Sequence, residues 1–239
     1  MVNIWPIIGQ ISGVACALCN QPGERLCSSC TQTLPYNHKP CPRYALPLPE
    51  AASDKVLCAD CQAHSRAFDS ALAPLLYQPP VDDLVAGLKY QQQLHLGPVL
   101  SELLAQAVRR EGSGAQVLLP VPMPGPGLRK RGFNQAAELA RQLSLQLEIP
   151  WAGEYLLRVR DNRHQQSLRR DQRRHNMRGV FACRGTPPAQ VALIDDVMTT
   201  GATAEEASRI LKRAGVARVE VWTVARTPRD HWTRRSQKR

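Results

Sequence analysis

The segment Val191-Ala-Leu-Ile-Asp-Asp-Val-Met-Thr-Thr-Gly-Ala-Thr203 restricts the fold more than any other part of the chain. A continuous apolar run ends in two acids, and a small, hydroxyl-rich turn then opens an amphipathic stretch over Ala202–Ala214. A further apolar run follows at Arg218–Val224, so the order is strand, helix, strand. The same alternation begins near Ala67. Ala71–Tyr77 reads as a strand, Val81–Lys89 as a short helix and Pro98–Arg110 as a longer amphipathic one. Gln116–Val121 is a buried strand before the turn-rich Pro122–Gly127. Phe133–Leu147 carries Ala136, Leu139, Ala140, Leu143 and Leu147 at helical spacing and stops before Pro150. Tyr155–Val159 and the arginine-rich stretch follow, and Val180–Arg184 reads as a further short strand holding Cys183 as a core residue. Alternating strands and helices predict an α/β domain, a mostly parallel sheet covered by helices.

In open α/β sheets ligands bind beyond the carboxyl ends of the strands, which is where the turn after Asp196 falls. The N–H groups of Thr200–Thr203, with the Thr199, Thr200 and Thr203 hydroxyls, can wrap a phosphate at a helix N-terminus. Gly201 permits close backbone approach and a positive φ, and Ala202 keeps the turn small. Asp195 and Asp196 are anions and do not bind phosphate. They suit a vicinal diol, whose hydroxyls donate to carboxylates, with a divalent cation nearby. Phosphate, diol and cation together describe a 5-phosphoribosyl group. The segment resembles the phosphoribosyl-pyrophosphate (PRPP) signature of type I phosphoribosyltransferases.

Residues 1–65 are unlike the rest: Cys- and Pro-rich, without helical periodicity, and holding seven of the eight cysteines. Pro35–Pro49 leaves no room for a regular helix. Cys16-Ala-Leu-Cys19 and Cys27-Ser-Ser-Cys30 form two CxxC knuckles, a spacing at which four thiolates close a tetrahedral, structural zinc site. Cys41, Cys58 and Cys61 offer three ligands for a second zinc. Cys41-Pro-Arg-Tyr44 has the form of a knuckle whose second cysteine has become tyrosine, and His38 or His64 is the candidate fourth ligand. CxxC pairs in a chain without an export signal read as metal ligands before disulfides. Met1–Val14 is apolar but short and has no basic start, and no stretch approaches the roughly 20 apolar residues that span a bilayer. The expected compartment is cytoplasmic.

The 239 residues carry a net charge of +11, yet residues 1–65 are neutral, so the excess lies beyond them. Arg158–Arg178 contributes eight arginines against Asp161 and Asp171, and five further basic residues lie beyond Pro228. A polyanionic partner follows, either a phosphorylated small molecule or nucleic acid. Arg129, Lys130 and Arg131, in a turn after the strand ending at Pro122, are pyrophosphate-contact candidates. Asp161–Phe181 is read three ways: a loop folding over a phosphorylated ligand, a groove for a nucleic-acid backbone, or a charged helix face.

These pieces in this order resemble the ComF/GntX (competence protein F) family of bacterial phosphoribosyltransferase-like proteins. The resemblance runs over Cys16–Cys61, Pro120-Val-Pro122, Arg131-Gly-Phe-Asn-Gln135, Gln165–Leu168 with Arg174, Asn176 and Phe181, and Val191–Thr203. Tyr44 departs from the eight-cysteine form of its N-terminus. The resemblance implies a zinc-finger module (1–65) fused to a type I phosphoribosyltransferase-like domain (66–228), followed by a basic tail (229–239) expected to be mobile. It implies Zn2+ in the module and Mg2+ with PRPP or another ribose phosphate. In naturally competent bacteria the family is linked to incoming single-stranded DNA and the competence-machinery proteins. Three readings stay open: a DNA-handling protein with a PRPP site, an active phosphoribosyltransferase of nucleotide metabolism, and a PRPP-sensing partner protein without turnover.

Overall fold

A computed structural model describes residues 14–53, 56–160 and 177–228. The basic tail and most of the arginine-rich stretch, including Gln165–Leu168, Arg174 and Asn176, lie outside the described residues, as does nearly all of Met1–Val14.

The centre of the sheet is β6 (Gln190–Met198) and β7 (Arg218–Arg226), parallel from the pair Gln190 and Arg218 to the pair Met198 and Arg226. On one side β3 (Val117–Pro120) runs parallel to β6. On the other, β1 (Ser70–Leu72) and β2 (Leu75–Leu76) pair in succession with β7. The strand expected over Ala71–Tyr77 is thus divided in two, at Ala73-Pro74, where proline supplies no N–H to a ladder. Outside β3 the chain adds one more step, since Leu118 N–H donates to the Pro150 carbonyl (2.8 Å) and Ala152 N–H to that of Leu118 (3.0 Å).

Side chains alternate across each strand, so the sheet buries two different sets. Leu118, Ala192, Ile194, Trp222 and Val224 face α3 (Val81–Tyr90), α4 (Leu96–Glu111) and α6 (Gln135–Leu147). Leu119, Leu193, Val219 and Val221 face α7 (Ala202–Arg213) through Ala204, Ala207 and Leu211. Burial on both faces is why Val191–Ile194 reads as an unbroken apolar run.

The cysteine-rich segment, with the short helices α1 (Ser28–Gln32) and α2 (Ala59–Ala63), is packed on this core. Cys41, Tyr44, Leu46, Cys58 and Cys61 belong to the same buried cluster as α7 and its sheet face.

Three further expectations shift. β6 does not end at Ile194: pairing with β7 carries it through Asp195 and Asp196 to Met198. The stretch Tyr155–Val159 forms β4 (Leu156–Arg158), but off the main sheet, antiparallel to β5 (Phe181–Cys183). The basic turn is a helix, α5 (Gly125–Arg131), opened by Pro126 in its first turn and closed by Gly132 at φ 80°.

Candidate phosphate site and thiol clusters

Because β6 continues through the two acids, alternation sends them to opposite faces. Asp195 joins Leu193 and lies beside Thr223 of β7, where it lines a cleft with Val121, Val197, Thr199, Gly201, Ala202 and Thr203. The cleft encloses about 330 Å³, part of it open to solvent. Asp196 points to the α3 side and is buried. There its Oδ2 meets Lys89 Nζ at 2.8 Å, while its Oδ1 accepts from Val197 N–H at 2.7 Å.

Burial, then the Asp196 charge beside it, raises the Asp195 carboxyl to about 7. For Lys89, burial favours the neutral amine, but the carboxylates of Asp196 and Asp195 outweigh it and the ammonium is held above its usual range. One lysine shared by two acids leaves this strand end short of positive charge, which a divalent cation or donor hydroxyls would supply.

Gly201 is the N-cap of α7 at φ 67°, in the left-handed region. A Cβ there would lie 2.7 Å from Cε2 of Tyr44, so conformation and packing both require glycine. Arg129, Lys130 and Arg131 occupy the last turn of α5, on the surface or half-buried. The Arg131 guanidinium lies 4.8 Å from the ring centre of exposed Tyr90, the neighbour of Lys89, and this is the link from α5 to the acidic strand end. The rest of the Arg131–Gln135 motif serves the fold. Gly132 caps α5, and Phe133 packs on the α3–α4–α6 core. Asn134 caps α6, accepting from Ala136 N–H (3.1 Å) and donating to the Val121 carbonyl (3.0 Å).

The Sγ atoms of Cys16, Cys19, Cys27 and Cys30 lie within 4.8 Å of one another, with Cys19 and Cys27 3.7 Å apart. Thiolates bound at about 2.3 Å to one tetrahedral zinc are about 3.8 Å apart, so the donor set fits a metal of this kind. Burial raises the Cys16 thiol, yet backbone N–H donors, first Cys19 and Cys27, outweigh it and bring it to about 6. The thiols of Cys27 and Cys19 push Cys30 up to about 12. Such a group ionises fully only around a cation. Cys41, Cys58 and Cys61 form a second, wholly buried set, with Cys58 N–H donating to Cys41 Sγ at 3.3 Å. Among the described residues neither His38 nor His64 joins it: His38 lies by Tyr36, and His64 ends α2. Cys183 is half-buried in β5, away from both groups.

The site also contains residues that sequence reasoning did not nominate, namely Lys89, Arg226 and the Tyr44 ring as a neighbour of the turn.

No family model matches the chain. It is 34% identical over 178 residues to competence protein F of Haemophilus influenzae, covering 71% of this chain and 78% of that one. It belongs to the competence protein F family. Another relative is the DNA utilization protein YhgH of Salmonella typhimurium, 31% identical over 224 residues (89% of this chain, 96% of that one). Competence protein ComFC of Streptococcus pneumoniae is 27% identical over 207 residues (84% and 87%). Among solved structures, adenine phosphoribosyltransferase from Leishmania donovani is 16% identical at a TM-score of 0.35, covering 59% of this chain and 55% of that one. Orotate phosphoribosyltransferase from Aeropyrum pernix is 15% identical at 0.36, covering 61% and 79%. Scores this low add nothing to the functional argument. Among the described residues no helix is long and apolar enough to cross a membrane.

Proposed function

We propose that this family member binds PRPP or a related 5-phosphoribosyl ligand with Mg2+ at the turn between β6 and α7. We further assign it to the handling of single-stranded DNA. The observation that carries the first part is Asp195 facing the same cleft as the Thr199–Thr203 turn, at the carboxyl end of a central parallel strand. The turn N–H groups and threonine hydroxyls take the 5′-phosphate, and Asp195 accepts from the ribose hydroxyls. Asp196, tied to Lys89, fixes the strand end and the local charge. Mg2+ would be held through the Asp195 carboxylate and the ligand's own oxygens, and would neutralise charge on the pyrophosphate. Arg129, Lys130 and Arg131 stand on the α5 surface as the candidate contacts for that pyrophosphate. In the N-terminal module, zinc at Cys16, Cys19, Cys27 and Cys30 would supply folding free energy where little apolar core exists.

The DNA part is supported by the names of the relatives and by the placement of the +11 charge outside the cysteine module. Calorimetric titration of PRPP with Mg2+ into the intact protein tests the first part. The expected result is binding that Asp195→Asn abolishes and Asp196→Asn weakens. No heat in the wild type refutes it. Pyrophosphate release in the presence of common nucleobases, measured on the same samples, decides whether binding leads to phosphoribosyl transfer. Fluorescence anisotropy with a labelled single strand tests the second part, with affinity expected to fall steeply as salt rises. An affinity that is absent or indifferent to salt refutes it.

A further inference from the structure

The peptide planes of the phosphate turn are held from behind by two side chains outside the cleft. Tyr44, fully buried, donates from its hydroxyl to the Thr200 carbonyl at 2.6 Å. Arg226, also fully buried, donates to the carbonyls of Met198 (2.8 Å) and Thr199, and through Nε to that of Tyr44 itself (3.1 Å). Three successive carbonyls, Met198, Thr199 and Thr200, are therefore fixed toward the protein. In a planar trans peptide the N–H points opposite to the C=O. Among the described residues the single cis bond is Pro79–Pro80, so these peptides are trans. Fixing the three carbonyls directs the N–H groups of Thr199, Thr200 and Gly201 the other way, away from Tyr44 and Arg226.

Tyr44 is delivered by the cysteine module. Its N–H and that of Ala45 both donate to the Cys41 carbonyl (3.1 and 2.7 Å), which places Tyr44 in the turn of that thiol. The guanidinium of Arg66 lies 4.1 Å from the ring centre and that of Arg226 4.5 Å from it. Arg66 also lies 3.7 Å from the carboxylate of Asp60, the chain neighbour of Cys61. The ring thus sits between the thiol cluster and Gly201, whose missing Cβ makes room for it.

We infer that Tyr44 and Arg226 are positioning residues of the phosphate turn, and that the Cys41–Cys58–Cys61 end of the module acts on ligand affinity through Tyr44. This rests on the reading of the turn as a phosphate site. Tyrosine at a position where a metal knuckle would carry cysteine then has a reason of its own: a thiol lacks the reach to bond Thr200. The chemistry stays in the cleft. The module sets how well the donors are arranged before the ligand arrives.

The test uses the intact chain with Tyr44→Phe, which keeps the ring and removes one hydrogen bond, and with Arg226→Lys, which keeps the charge and loses the forked donor. Three quantities are read: amide exchange of the peptide spanning Thr199–Thr203, the Kd for PRPP with Mg2+, and zinc content with the melting temperature. For Tyr44→Phe, turn amides are expected to exchange on the order of fivefold faster and Kd to rise about threefold to tenfold, with zinc content unchanged. Arg226→Lys moves both further, and should it fail to fold, Tyr44→Phe decides alone. Unchanged exchange and unchanged Kd overturn the inference, as does a loss spread evenly over the protein with melting. If the wild type binds no PRPP, the phosphate reading falls. Exchange at the turn then decides by itself whether Tyr44 holds it.

Discussion

Asp195 is expected to make the ligand-free protein less stable, increasingly so as pH rises toward neutrality. Its carboxyl loses a proton near 3.8 in an unexceptional setting but holds it to about 7 in the fold, through burial and the neighbouring Asp196 charge. Below about pH 4 both states are protonated and the group contributes nothing. Between the two values the unfolded chain has released its proton while the folded chain keeps it, so folding loses stability with rising pH. Above about pH 7 both are ionised and the penalty is constant. At roughly 1.4 kcal/mol per tenfold, the full gap is a ceiling of about 4 kcal/mol. Partial exposure of the side chain reduces this to about 1–3 kcal/mol.

Asp195→Asn removes the charge and keeps the shape. In magnesium-free buffer with zinc retained, this variant is expected to melt above the wild type at pH 8. For a chain of this length the difference is about 3–10 °C. At pH 4.5 the gap should shrink to under about 1 kcal/mol. Differential scanning calorimetry across pH 4.5–8 measures it. An asparagine variant that melts at or below the wild type at pH 8, or a gap that does not change with pH, refutes the reasoning. The stabilised variant is also the one expected to lose PRPP, so a gain in stability would accompany a loss of binding.

Zinc measured by plasma mass spectrometry should be bound by the purified chain, and Cys27→Ser should lower it by one equivalent and leave the segment 14–34 open to proteolysis. Equal zinc in both would exclude the four-thiol site. Asn134→Ala should destabilise by about 1–2 kcal/mol, since it removes the α6 cap and the bond to the Val121 carbonyl. Chemical denaturation would show this as a lower midpoint at unchanged slope, and an unchanged midpoint would mean the cap is idle.

The central sheet was legible because its strands are covered on both faces and so leave unbroken apolar runs, and because helices with one apolar stripe stand between them. The thiol pairs were legible by spacing alone. The end of β6 was not: two acids read as the end of a strand, yet the ladder to Thr223, Ala225 and Arg226 continues past them. Whether a strand goes on is decided by its partner, which local sequence does not contain. That miss also hid the separation of the acids. If the strand stops at Ile194, Asp195 and Asp196 form one pair facing one ligand; with the strand continued, Asp195 faces the cleft and Asp196 faces Lys89.

Lys89 and Arg226 escaped for a related reason. A lysine in the last turn of a helix is what the helix dipole favours on any surface, and an arginine at the end of a strand, just before a basic tail, reads as solvated. One signal was present for Arg226: it closes the run Val219–Ala225 in a strand buried at every residue after the first. A guanidinium at such a place must find acceptors inside the protein, and the acceptors that a strand end offers are the carbonyls of the adjacent turn. The same reasoning applies to Tyr44. In sequence it is a missing ligand, a deficit in a metal site. In the fold its hydroxyl reaches the Thr200 carbonyl, the next after the two that Arg226 holds. The two side chains divide three consecutive acceptors between them, one side chain coming from β7 and the other from the cysteine module. A substitution that restored cysteine at position 44 would add a thiol beside Cys41 while releasing Thr200, the last of the three carbonyls before Gly201.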